Sequence, residues 1–202
     1  KQYLSEKNII DGLINMSEGE WGKAEKNFCK AASNSKSPYI IYLFAARAAH
    51  AMNSLDKSNE YLRFAYNHEP NAGPAIGLTQ AELQLNQKQI VQALATLNNL
   101  QEKWPEHLLT KKMLLEAYTA LNDWQEVLEL LRSIEKEKLY THDEIEIKKH
   151  NAYVGLLKDA GISDDRKKLD NIWEQLPRKL KYHHDLIEVY VREKLKFKDI
   201  SD

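Results

Sequence analysis

The chain is poor in residues that build covalent or metal frameworks. Its 202 residues hold one cysteine, Cys29, which excludes an intrachain disulfide network and any C-x-x-C redox or zinc motif. Beside Phe28 on an expected helix, Cys29 reads as a small packing residue. Charge of one sign is also lacking. Lys and Arg number 29 against 30 Asp and Glu, so the basic footprint of a nucleic-acid binder is missing. No long apolar run occurs either: residues 39–52 are the longest, and Arg47 and His50 interrupt them. That stretch falls short of the ~20 apolar residues a membrane-crossing helix needs. Gly-rich phosphate loops, H-E-x-x-H and G-x-S-x-G are absent, so local motifs supply neither a catalytic set nor a metal site.

What is present is a ruler. A small or β-branched residue recurs as Ala24, Ser58, Ala93 and Val127, at steps of 34, 35 and 34. Four positions later stand Phe28, Leu62, Leu97 and Leu131, and three further on Ala31, Ala65, Leu100 and Ile134. Such a period means stacked helix pairs, each packing on its neighbours. The small residue marks where the second helix approaches the first, and the larger one fills the gap. Trp21 and Trp124 fall at equivalent turn positions, where they are expected to pin the turn against the preceding helix.

Prolines 38, 70, 74 and 105 all fall between units. The first unit is expected as helices over 2–16 and 22–32, the second opening at Ser37-Pro38 with Ser37 as N-cap. Ser54 and Asp123 are the better caps for second helices, Glu20 and Gln89 the weaker. Beyond Leu139 the register fades. Thr141 to Glu144 has the form of a capping box, starting a helix to about Lys158 that Gly161 ends. Ser163 is then expected to cap a shorter helix bearing Leu169, Ile172, Trp173 and Leu176. A last helix would bury Leu180, Leu186, Val189, Tyr190 and Leu195. The expected organisation is four helix pairs over 1–140, then a degenerate fifth repeat and closing helices over 141–202, continuous with the same solenoid.

The pattern of Gly12, Ala46 and Ala81, the turn Gly19-Glu20-Trp21, Ala24, Phe28 and Ala31, and Pro70 or Pro105 at repeat ends resembles the tetratricopeptide repeat. The fourth copy departs from it, with Leu115 and Val127 in place of small residues. The resemblance covers residues 5–139 and implies an all-α, right-handed α-α solenoid of helix hairpins with atypical C-terminal helices. A narrower likeness rests on Gly19 to Lys26, on Asn122 to Leu131, and on Ile172 to Leu180 before the final helix. These segments resemble the HemY family of bacterial protohaem IX biogenesis proteins. That resemblance implies two membrane spans ahead of a soluble region at the inner membrane, more naturally on its cytoplasmic face, and a tie to late haem synthesis. The absence of an initiator Met at Lys1 fits a fragment whose N-terminal anchor is missing.

In such an array the first helices line a concave wall. Alignment places there Leu13 and Met16, then Leu43, Arg47 and His50, then Leu78, Glu82 and Leu85, and finally Lys112 and Glu116. This mixed surface suits a helix or extended peptide of a partner protein. The expected function is therefore a non-enzymatic scaffold, its partners plausible as haem-pathway enzymes through the resemblance. A haem or porphyrin carrier and a generic adaptor unrelated to haem stay open as alternatives. Adjacent His183 and His184 point about 100° apart on a helix and cannot chelate one ion, while His142 and His150 sit about 12 Å apart along an axis. Glu135/Glu137 and Asp164/Asp165 read as solvated carboxylates. Arg166-Lys167-Lys168 and the run around Arg178 are the only cationic clusters that could meet lipid.

Overall fold

The computed structural model describes residues 2–163 and 165–197; Asp164 and residues 198–202 lie outside them. The described residues are helical with no strand, as the 34-residue ruler requires. The chain divides into two compact units, residues 1–110 and 111–202.

The first unit holds α1 (Gln2–Ser17), α2 (Trp21–Ala32), α3 (Pro38–Ala51), α4 (Leu55–His68), α5 (Gly73–Asn86) and α6 (Ile90–Lys103). Helix α7 (Leu108–Ala120) crosses the division. The second unit continues with α8 (Trp124–Ile134), α9 (His142–Ile162), α10 (Arg166–Gln175) and α11 (His184–Lys196). Every ruler residue is interior. Ala24, Ala93, Phe28, Leu97 and Leu131 are wholly buried, and Ser58 and Val127 nearly so. Gly12 shows why a small residue is needed: a Cβ there would stand 2.6 Å from the Phe28 ring.

The turns repeat as faithfully as the core. Gly19, Asn53, Lys88 and Asn122 each adopt the left-handed conformation, with φ of 77°, 57°, 60° and 58°. After each, the next amide reaches back to a carbonyl five residues earlier: Glu20 to Asn15, Ser54 to Ala49, Gln89 to Gln84 and Asp123 to Tyr118. This is the Schellman closure, which satisfies carbonyls that a helix end leaves free. Caps differ from expectation. Asp123 accepts from the Glu126 amide at 3.4 Å, but Ser37 and Ser54 make no side-chain cap bond.

In the first unit, Phe28, Ala31, Ile41 and Ala45 form one cluster, and Leu43, Ala46, Leu62, Ala65, Ile76 and Leu83 another. In the second, α9 is the central helix, packed by α8, α10 and α11 around Leu131, Leu157, Leu169 and Leu186. The capping box at Thr141 is present in full. Helix α9 runs past Gly161 to Ile162, because Gly161 lies against the buried Glu193 of α11 instead of ending the helix. Asp165, not Ser163, caps α10 by accepting from Lys168. Leu195 is half exposed, and Leu180 sits in a separate 3-10 turn before α11. Trp124 lies against Gly155 of the following helix α9. No described helix is long and apolar enough to cross a membrane.

Candidate functional site

The residues expected on the wall lie on α1, α3 and α5 in the first unit. Arg47 Nη2 donates to Glu82 Oε2 at 2.8 Å and to Thr79 Oγ1 at 3.3 Å. The two opposite charges expected to face a partner thus face each other. The pair is partly exposed, a setting in which an ion pair contributes about 1 kcal/mol or less. Burial lowers the His50 pKa from its ordinary value, against a smaller upward pull from Glu82, so the imidazole is neutral at pH 7. Leu78, Leu85 and Met16 are half-buried, and Leu13 is exposed. Leu43 corrects the expectation: at 6% exposure it belongs to the core shared with Leu62 and Ile76, and it offers a partner no surface. Lys112 and Glu116 are exposed on α7 in the second unit.

A cleft of about 570 Å³ opens beside that wall, between α4 and α5. Its apolar base is Leu62, Ile76 and Leu83; its rim carries Asn59, Asn67, Gln80, Gln84, Gln87 and Gln89, with Arg63 and Tyr66. Of the expected wall residues only His50 reaches it. Six side-chain amides each offer donors and an acceptor, the pairing that an extended peptide backbone demands. Gln84 is held by Thr96, whose hydroxyl donates to Gln84 Oε1 at 2.9 Å. The sequence signal was the density of Gln between 80 and 89.

Other polar groups in this unit are structural. Glu25 is buried and its Oε1 accepts from the Tyr61 hydroxyl at 2.7 Å and from Lys57 at 3.1 Å, while the Cys29 thiol donates to Tyr61. Burial pushes the Cys29 thiol up from its ordinary pKa, leaving it protonated and unreactive. Tyr42, Tyr61, Phe64 and His68 pack ring against ring.

In the second unit a cleft of about 470 Å³ lies among α8, α9 and α10. Arg132, Lys167 and Lys168 line it together with Glu129 and Asp165, so acids sit among the cations. Lys181 donates to the Glu174 carbonyl at 2.9 Å. Of the carboxylates expected to be solvated, Glu135 and Glu137 are in use, pairing with Lys149 and Lys111. His183 and His184 are both exposed.

Residues 1–53 match the family described as the HemY protein N-terminus. Over 195 residues, 96% of this chain, the sequence is 25% identical to Protein HemY of Escherichia coli K12 and equally to that of Shigella flexneri. The chain spans about half the length of these curated relatives, 49% of each. Among solved structures, Pseudomonas aeruginosa pilF superposes with a TM-score of 0.53 at 13% identity, covering 94% of this chain and 98% of that one. A structure of Naa15/Naa10 bound to HypK-THB gives 0.57 at 15% identity, covering 96% of this chain and 30% of that one. A Podosopora anserina putative kinesin light chain with TPR-like repeats gives 0.51 at 16% identity, covering 96% and 99%. The fold is a tetratricopeptide-like solenoid of paired helices.

Proposed function

We propose that this chain is a non-catalytic scaffold whose cleft between α4 and α5 receives an extended segment of a partner protein. Its partners, in this reading, are enzymes of late haem synthesis gathered at the cytoplasmic face of a bacterial inner membrane. The observation that carries the binding mode is the ring of amides over an apolar base at Leu62, Ile76 and Leu83. Leucine and isoleucine at the base reward an apolar side chain, while the amides replace the hydrogen bonds that a strand-like backbone would otherwise make to water. The family match at residues 1–53 and the 25% likeness to HemY support the haem assignment and the membrane setting.

The test is crosslinking of the full-length protein in cells, comparing wild type with a Gln80→Ala, Arg63→Glu double variant. Late haem-synthesis enzymes are expected among the wild-type crosslinks and reduced at least tenfold in the variant. Equal recovery by both would remove the cleft as the binding surface; recovery of unrelated assemblies alone would remove the haem assignment. Haem added to the purified chain is expected to give no saturable Soret shift. A one-to-one shift abolished by His50→Ala would favour a carrier instead.

A further inference from the structure

Helix α9 and the start of α11 bring together three ligating side chains from two separate stretches of the sequence. His150, His183 and Asp185 offer ring nitrogens and a carboxylate oxygen that all lie within 4.8 Å of one another. The two rings face each other with centroids 5.4 Å apart. His150 Nε2 lies 2.7 Å from Asp185 Oδ2, so the imidazole nitrogen and the carboxylate are already side by side. On the opposite side of the ring, Nδ1 faces Asn151 Oδ1 at 3.4 Å. Nitrogen and carboxylate oxygen converge on one point, where a proton, or a metal ion after a small spreading of the two groups, can be held between them.

We propose that His150, His183 and Asp185 form a binding site for a divalent transition ion, Zn²⁺ by the chemistry of its donors. Two imidazoles and one carboxylate suit zinc and its neighbours, whereas magnesium and calcium prefer oxygen alone. Zinc bonds of roughly 2.0–2.2 Å place neighbouring ligand atoms about 3.3 Å apart in a tetrahedron. The His150–Asp185 separation of 2.7 Å is shorter than that, and all three donors lie within 4.8 Å of one another, so a small spreading of that pair and a rotation of the exposed His183 ring would bring them to it. The surrounding groups are arranged to hold the ligands. Asp185 Oδ1 accepts from the Leu186 amide at 3.0 Å, which turns Oδ2 toward His150, and Asn151 Oδ1 lies 3.4 Å from His150 Nδ1; outer contacts of this kind are recurrent supports around metal ligands. Three protein ligands leave one position for water or for a donor from a partner. The ion would fasten the start of α11 to the middle of α9.

A second cluster shows what distinguishes this one. Glu135, His142 and Glu146 also come within ligating range, but Lys149 Nζ already sits 3.1 Å from Glu135 and 3.5 Å from Glu146. There the cation is the lysine. Among the described residues Asp185 pairs with His150, itself a ligating ring.

Zn²⁺ titration of the whole chain against a chromophoric chelator tests the site, with Co²⁺ absorption as a second readout. One equivalent is expected to bind in the micromolar range or tighter, with visible Co²⁺ bands that Mg²⁺ does not displace. His150→Ala and His183→Ala are each expected to weaken Zn²⁺ by about 100-fold, and Asn151→Ala by about 10-fold, as loss of an outer support does. His184→Ala and His142→Ala should leave affinity within about twofold. Circular dichroism checks folding, and because His183 is exposed its variant decides should His150→Ala fail to fold. Binding weaker than about 1 mM, or unchanged affinity in His183→Ala, overturns the assignment.

Discussion

Lys88 holds a backbone conformation that its own side chain disfavours. Its φ of 60° matches Gly19, Asn53 and Asn122 at the corresponding turns, but those three residues tolerate the left-handed region far better. Lys88→Gly removes about 1–2 kcal/mol of strain and returns part of it as lost chain entropy. A net gain of about 0.5–1 kcal/mol in unfolding free energy is expected from urea denaturation. The reverse holds at Gly12. A methyl group there meets the Phe28 ring at 2.6 Å, and the ring, itself wholly buried, has no room to retreat. Gly12→Ala is expected to cost about 1–3 kcal/mol by overpacking, measured in the same way. Residues of this kind were legible from the 34-residue ruler, because small-against-large packing is what generates it. The mutual pairing of Arg47 and Glu82 was not. Alignment can place both on one wall, but only the separation of the two helices decides whether they face a partner or each other.

At the scale of the element, the N-terminus of α9 is the most fully satisfied. Thr141 and Glu144 bond each other's amides reciprocally, so Thr141→Ala should cost about 1 kcal/mol, seen as faster amide exchange in the first turn of α9. The α10–α11 contact depends on pH. Asp170 Oδ1 accepts from Lys194 at 2.8 Å and from the Tyr190 hydroxyl at 2.7 Å, and Tyr190 stacks on Trp173. Hydrogen bonds from Lys194 and then Tyr190 hold the Asp170 pKa below its ordinary 3.8. A carboxylate with a lowered folded pKa adds stability above its unfolded pKa and loses it as pH falls through the folded one. Thermal unfolding of Asp170→Asn should therefore track wild type more closely as pH drops below about 4, with the difference largest near neutrality. Element boundaries were less legible than element identity. Gly161 reads locally as a stop, but its missing side chain is what admits Glu193, and α9 continues. Trp124 reads as a turn pin, yet the helix that receives it, through Gly155, lies about thirty residues further on.

For the molecule as a whole, each unit has its own interior. In the second, Leu131 and Leu157 are wholly buried in one cluster with Leu169 and Leu186. Leu131→Ala is expected to cost about 2–5 kcal/mol, read as lost amide protection in α8 and α9. The near balance of 29 cations and 30 anions carries a further expectation for the cleft. Partner capture by amides over an apolar base should change little between low and moderate salt, in contrast to the steep loss that charge-driven binding shows. The histidines illustrate what one-dimensional spacing conceals. His150 and His183 are 33 residues apart in the chain, with α10 between them, and only the return of α11 onto α9 brings their rings within 5.4 Å.

The recurring left-handed corner also makes each hairpin a detachable cassette. Joining Gly19 directly to Ser54 would excise 34 residues and pass the next helix the same entry twist it receives now. Removing one residue more or fewer would spin that helix by about 100° and turn its buried stripe outward. Lengthening or shortening such a chain over time therefore has to proceed in whole modules, spliced at the corners.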